Sequence, residues 1–251
     1  LAIERVFTQG DDTRLDESSP MTSFDAATTL SVDASVEDNN DPSGSDVQSL
    51  IRFPGVFGPG PAQVPAAARI GSAGPTLHVN PAVQFHAGTS VGIHRMLRPW
   101  SPNETWATAG AAGGISLDNI EAAVIPDDQA GQNVLGEALV QAGSHHFDVT
   151  DSLRAWAATG GATNFGWVLA PTPRGTNAIL FDSFESLNNG GSPPSLSVRY
   201  ICPADVTDDG AFTVQDIFAY LAAWFGGDGR ADMNGDGGIT VTCLTFLYQF
   251  R

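Results

Sequence analysis

Apolar and polar positions alternate with a period of two through much of the first 200 residues. Near the C-terminus the pattern switches to helical spacing. Leu196-Ser-Val198-Arg-Tyr200 shows the alternation most clearly, and such a run predicts a strand with one buried and one wet face. The same criteria place strands at Ile3 to Thr8, Thr28 to Val32, Gln48 to Phe53, Leu77 to Val79 and Val91 to Leu97. Further strands are expected at Gly143 to Asp148, Gly166 to Leu169, Ile179 to Ser183 and Ser195 to Tyr200. Gly, Pro, Asn and Asp clusters separate them. Pro75 inside the stretch from Arg69 to Val79 predicts an edge position or a break there. Only Asp151 to Ala158 reads as a helix in this region, with Thr150 or Asp151 as its N-cap. Many short strands with turns between them predict a mainly β protein, an antiparallel sandwich. Two aromatic-rich runs with helical spacing follow, Val214 to Phe225 and Val241 to Phe250.

Each of those helical runs is preceded by a similar segment. Asp205-Val-Thr-Asp-Asp-Gly-Ala-Phe-Thr-Val and Asp232-Met-Asn-Gly-Asp-Gly-Gly-Ile-Thr-Val align in register, sharing Asp205/Asp232, Asp209/Asp236, Gly210/Gly237, Thr213/Thr240 and Val214/Val241. Calcium takes six to eight oxygens, and a twelve-residue loop supplies them from positions 1, 3, 5, 7, 9 and 12. In the first loop those positions hold Asp205, Thr207, Asp209, the Ala211 carbonyl, Thr213 and Asp216, with Gly210 at the sharp turn. The second offers Asp232, Asn234, Asp236, the Gly238 carbonyl and Thr240, but Cys243 stands where the final carboxylate should be. Weaker calcium binding is expected there. Phe212 and Ile239, at position 8 of each loop, are placed to pack against one another. Asp/Gly-rich segments also make ordinary turns; it is the tandem, each copy leading into an apolar helix, that favours calcium.

Charge and cysteine content sharpen the picture. Twenty-eight acids against eleven bases give a net charge of -17, which repels nucleic acid and anionic membranes. No apolar run approaches the length needed to span a bilayer. The chain opens at Leu1 without an initiator Met or a signal region; a secreted chain whose signal has been removed would look like this, and so would a trimmed one. Cys202 and Cys243 are the two cysteines. In an oxidising compartment a bridge between them would close the C-terminal unit. Two buried thiols are the alternative.

Catalytic patterns are missing. His145-His146 would point to opposite faces of a strand and cannot easily share a metal. Asp127-Asp128 could serve a glycosidase only if folding set two acids across a cleft. There is no Gly-x-Ser-x-Gly, no phosphate loop and no Cys/His pair in a suitable motif, so a non-enzymatic protein is expected. Among the tryptophans, Trp100 and Trp106 are candidates for a sugar-stacking platform, although core packing is the commoner fate of large aromatics.

Two family resemblances follow from these residues. Cys202-Pro-Ala-Asp205 before the first loop, and Val214-Gln-Asp-Ile-Phe-Ala-Tyr-Leu-Ala-Ala-Trp-Phe225 after it, resemble a dockerin of secreted bacterial proteins. The second repeat departs from that pattern after Val241. Dockerins bind a partner, usually a cohesin, through residues early in each helix, here Val214-Gln215 and Val241-Thr242. Upstream, Asp12-Thr-Arg-Leu-Asp-Glu17 resembles the motif for which the DNRLRE domain is named. Leu50-Ile-Arg-Phe53, Trp100-Ser101, Glu104-Thr-Trp106, Phe147-Asp-Val-Thr150, Asn164-Phe-Gly166 and Pro193-Pro194 follow in that family's order. The resemblance implies a jelly-roll-like sandwich over 1–200, usually extracellular and non-catalytic, and a dockerin-like calcium unit over 201–251. Only Ile201-Cys-Pro-Ala204 joins them, so rigid packing between the two is expected. The function implied is structural or assembly work at the cell surface, with a cohesin-like module or copies of this chain as partner. The alternative is a carbohydrate-binding module for an extracellular, acidic polysaccharide.

Overall fold

The computed structural model describes residues 2–34, 45–58, 60, 62–66, 68–79, 91–130, 142–171, 179–201, 206–207, 213–231 and 239. The chain is mainly β and its strands pair antiparallel throughout. The strands are β1 (Ala2–Phe7), β2 (Asp11–Asp16), β3 (Thr29–Val32), β4 (Val47–Arg52), β5 (Arg69–Val79), β6 (Val91–Arg95), β7 (Asp128–Ala130), β8 (Gly143–His146), β9 (Trp167–Pro171), β10 (Ile179–Asp182) and β11 (Ser195–Ile201). Among the described residues three helices punctuate them: α1 (Trp106–Ala109), α2 (Thr150–Ala157) and α3 (Val214–Gly226), while the expected helical run Val241 to Phe250 lies outside them. A 3-10 turn, Phe184–Asn189, follows β10.

Two sheets result. One has the order β1-β11-β5-β10-β3 with β8 also on β5, the other the order β2-β4-β9-β6-β7. They face each other across one core that takes Leu30, Leu77, Phe181 and Val198 from the first sheet and Ile51, Ile93, Trp167 and Leu169 from the second. Alternate residues of the second sheet point the other way. Leu15, Leu50 and Val168 are buried on its outer face with Met96, Trp100 and Ile115, beneath α1 and the long segment after β6. This sheet is therefore covered on both sides, which is why β9 reads as a continuous apolar run.

β5 corrects the expectation attached to Pro75. It runs unbroken for eleven residues, and Pro75 lies opposite Leu196 in a strand with neighbours on both sides. In a strand one residue's N–H and C=O point to the same side. The Pro75 carbonyl accepts from Phe147 N at 3.0 Å, so the missing N–H falls just past the end of β8 and pairing to β11 loses nothing. The N-cap of α2 is also displaced from the expected pair. It is Val149, and the turn is anchored one residue earlier, where Asp148 Oδ1 accepts from Thr150 N at 3.0 Å. The Thr150 hydroxyl serves β5 instead, accepting from Ala73 N at 3.0 Å.

The sheets are stitched by a buried serine. Ser49 on β4 donates its hydroxyl to the Ser31 carbonyl at 2.7 Å and accepts from Ser31 N at 3.0 Å. β3 is the end strand of its sheet, so one hydroxyl from the opposite sheet satisfies both edge groups of Ser31.

Candidate loop site and its surroundings

α3 begins where the first twelve-residue pattern ends. Thr213 is its N-cap, accepting from Gln215 N at 3.2 Å, and Thr213 with Asp216 forms a capping box. Gly227 closes the helix at φ 67, a left-handed conformation that glycine adopts without a Cβ penalty. The Asp216 side chain does more than cap. It is 1% exposed, and each carboxylate oxygen accepts two hydrogen bonds. Oδ1 accepts from Thr207 N at 3.0 Å and from Thr207 Oγ1 at 2.8 Å. Oδ2 accepts from Thr213 N at 2.7 Å and from Thr213 Oγ1 at 3.3 Å. Burial pushes this carboxyl up, but the four hydrogen bonds outweigh it and hold it at about 2, so it is ionised at all ordinary pH.

Positions 3 and 9 of the loop pattern thus both bond to the carboxylate of position 12. Ligands sharing a calcium at about 2.3–2.6 Å must lie about 3 Å from one another. The Thr207 and Thr213 hydroxyls sit 2.8 and 3.3 Å from the Asp216 oxygens, a spacing that a hydrogen bond and such a shell share. Asp205, Asp209, Ala211, Asp232, Asn234, Asp236, Gly238, Thr240, Cys202 and Cys243 lie outside the described residues, as does Phe212. Among the described residues no three His, Cys, Asp or Glu side chains form a metal-binding group. Ile239 packs with Val206 and Trp224 around Tyr220, Ala223 and Ala231, so part of each loop segment meets one small apolar cluster. The opposite side of α3 is open. Val214, Ile217, Phe218, Leu221 and Phe225 make an exposed apolar stripe at i, i+3/i+4, i+7 and i+11, with Phe218 66% and Phe225 83% exposed.

The tryptophans are placed differently from a sugar platform. Trp100 is buried; its indole N–H donates to the Phe165 carbonyl at 2.6 Å, and the Arg52 guanidinium lies 5.0 Å over its ring. Arg52 is held there by Asp11. Trp106 is half-buried against Gly113 and Gly114. Core demand explains both positions, since the outer face of the second sheet needs large apolar cover.

Asp127 and Asp128 diverge. Asp127 accepts from Trp167 Nε1 at 2.9 Å and from the Ser152 hydroxyl, while Asp128 Oδ2 accepts from Asp148 N at 2.7 Å. Burial pushes the Asp127 carboxyl up against the opposing pull of those two donors. His145 and His146 are consecutive on β8, opposite Leu77 and Thr76 of β5, and so face opposite sides of the sheet. A different histidine has an acidic partner that the sequence did not reveal. His78 Nδ1 is 3.0 Å from Asp182 Oδ2, whose oxygen also accepts from Ser192 N at 2.8 Å. The two are 104 residues apart, and no local spacing rule could have paired them. No helix is long and apolar enough to cross a membrane among the described residues.

No protein-family model matches the chain, and no curated protein is similar enough to be counted a relative. What the fold and the site define is a mainly antiparallel β protein that carries a carboxylate-centred loop at the start of an apolar helix.

Proposed function

We propose that this is a non-enzymatic extracellular structural or assembly protein, in which a DNRLRE-like jelly-roll sandwich over 1–200 carries a dockerin-like calcium module over 201–251. The observation that carries the reading is the convergence of Thr207, Thr213 and Asp216 oxygens at calcium-shell spacing. Calcium bound there supplies positive charge that neutralises the loop acids and cross-links its two ends. Thr207, Thr213 and Asp216 would hold it through three oxygen-bearing side chains, and the capping box would transmit that closure to α3. The exposed stripe from Val214 to Phe225 supports attachment, because an apolar helix face of this kind suits a helix-in-groove contact with a protein partner. β1 is the end strand of its sheet and offers a second joining surface by strand addition.

Calorimetric titration of the chelator-treated chain with calcium tests the reading, with particle size measured before and after. Saturable binding, weakened at least tenfold in Asp216→Asn, is the expected outcome. Absence of binding at millimolar calcium, or assembly that ignores a chelator, overturns the reading.

A second reading rests on a trough of about 550 Å³ between the start of β5 and the end of α2. Arg69 and Arg154 flank a small apolar floor of Ala68, Ile70, Ala157 and Ala158. Two of the eleven basic residues line it, which favours a carboxylate-bearing saccharide, with Arg154 steadied by the Ile70 and Gly71 carbonyls and Asp151. Retention on an acidic polysaccharide by a monomeric protein, lost in Arg69→Ala, would support it over assembly.

A further inference from the structure

β2 and the 3-10 turn meet at one open edge of the two-sheet stack, and the contact between them is made by acids. Asp12 is 3% exposed, and its Oδ2 accepts from Phe184 N at 2.9 Å. Its Oδ1 is buried with no donor. Glu185 follows Phe184 in the turn, where its own N–H is fixed on Ser183 Oγ at 3.1 Å, and its Oε2 is likewise buried with no donor. The Phe184 N–H bond to Asp12 Oδ2 brings the next residue, Glu185, beside Asp12. The surroundings are tight. Phe184 packs edge-on to Phe53 at 5.3 Å, and a Cβ on Gly10 would come within 2.2 Å of the Phe184 ring.

Two neighbouring carboxylates that each bury an oxygen without a donor disfavour double ionisation. We infer that Asp12 and Glu185 share one proton between Oδ1 and Oε2, forming an acid–carboxylate latch that closes β2 against the turn and loosens when the proton leaves. The Asp12 Oδ2–Phe184 bond holds the pair in place, and the shared proton satisfies both orphan oxygens at once. The charges acting on Asp12 reinforce the need for it. Glu185 comes from the turn and Asp11 from β2, both negative. On β4, Arg52 is paired with Asp11, and on β2, Arg14 lies 4.1 Å over the Phe24 ring. In keeping with this, burial pushes the Asp12 carboxyl up to about 8, helped by Glu185 and Asp11 and opposed by the Phe184 N–H.

The sign of the effect follows from linkage. A carboxyl near 3.9 in the unfolded chain and about 8 in the folded one binds its proton only when folded across that interval. Its stabilisation is full below the unfolded value and is lost as pH rises through the folded one. The test is equilibrium unfolding of the full chain between pH 6.5 and 9 in the presence of a calcium chelator, for wild type and Asp12→Asn. The amide of Asn would donate to Glu185 and still accept from Phe184 N, so no proton is needed. In wild type the unfolding constant should rise about tenfold per pH unit up to pH 8 and then level off, while Asp12→Asn stays flat. Carbon-13 NMR of the side-chain carboxyls gives a second readout in the unmutated protein, with one carboxyl titrating near pH 8. Equal pH slopes in both proteins, or both carboxyls titrating below about pH 5, overturn the latch. So does a wild-type profile that becomes flat when a divalent cation is added without chelator, because a metal would then be the bridge.

Discussion

Removing the Asp216 carboxylate separates the loop's role from that of the sheets. In Asp216→Ala the amides of Thr207 and Thr213 both lose their acceptor, and both threonine hydroxyls lose theirs. The hydroxyls can rotate to new partners; the amides cannot. A hydrogen bond to a charged acceptor contributes about 1.5–3 kcal/mol, so the two amides together account for about 3–6 kcal/mol of local closure. That range includes the capping contribution to α3, about 1 kcal/mol. The cluster under α3 shares no residue with the cores of the two sheets, so the loss should stay local. Hydrogen exchange read by mass spectrometry is the assay. Peptides covering 213–226 should exchange at least a hundredfold faster in the variant, while β5 keeps its wild-type protection. The same carboxyl is held at about 2 against about 3.9 unfolded, so its stabilisation is present above pH 4 and fades as pH falls towards 2. Wild-type α3 should lose protection across that acid window. Unchanged α3 protection in Asp216→Ala would refute the reasoning, and so would equal loss in β5.

Three further outcomes follow from the sheets. Gly166→Ala forces a side chain onto a φ of 74 and sets its Cβ 2.1 Å from the Ile51 carbonyl oxygen, so chemical denaturation should show a loss of more than about 3 kcal/mol. Ser49→Ala strips both edge groups of Ser31 of their partner, and an accompanying drop of about 2–4 kcal/mol is expected in the same assay. Trp167→Phe removes the indole donor to Asp127 and leaves Ser152 as its side-chain partner. A loss of about 2–4 kcal/mol is expected, with the melting temperature falling accordingly.

Local pattern carried much of the fold into view. Runs such as Leu196 to Tyr200 and Gly166 to Leu169 name their own strands, because alternation or continuous apolarity reflects which faces are buried. β2 hid behind its polarity. Asp12 and Arg14 point between the sheets at the edge of the stack, while Thr13 and Leu15 face the other way, so no simple alternation marks the strand. Pro75 misled because the rule about proline concerns a lost donor, and here the donor would have faced the vacant end of β8. At the loop, Thr207, Thr213 and Asp216 were legible from spacing alone, since all three lie within one short segment. Contacts between distant residues, Ser49 with Ser31, His78 with Asp182 and Asp12 with Glu185, follow from topology, and sequence separation conceals them.

The double cover on the second sheet gives the molecule a front and a back. Leu15, Leu50 and Val168 lie under the α1 layer, so among the described residues that part of the sheet is covered. Across the stack, the outward row of β5 and β8 carries Thr76, His78, Ser144 and His146, none of them buried. A neighbour seeking a flat polar face meets it from one direction only. Copies laid side by side would turn their imidazoles the same way, and the layer they form would have two chemically distinct sides.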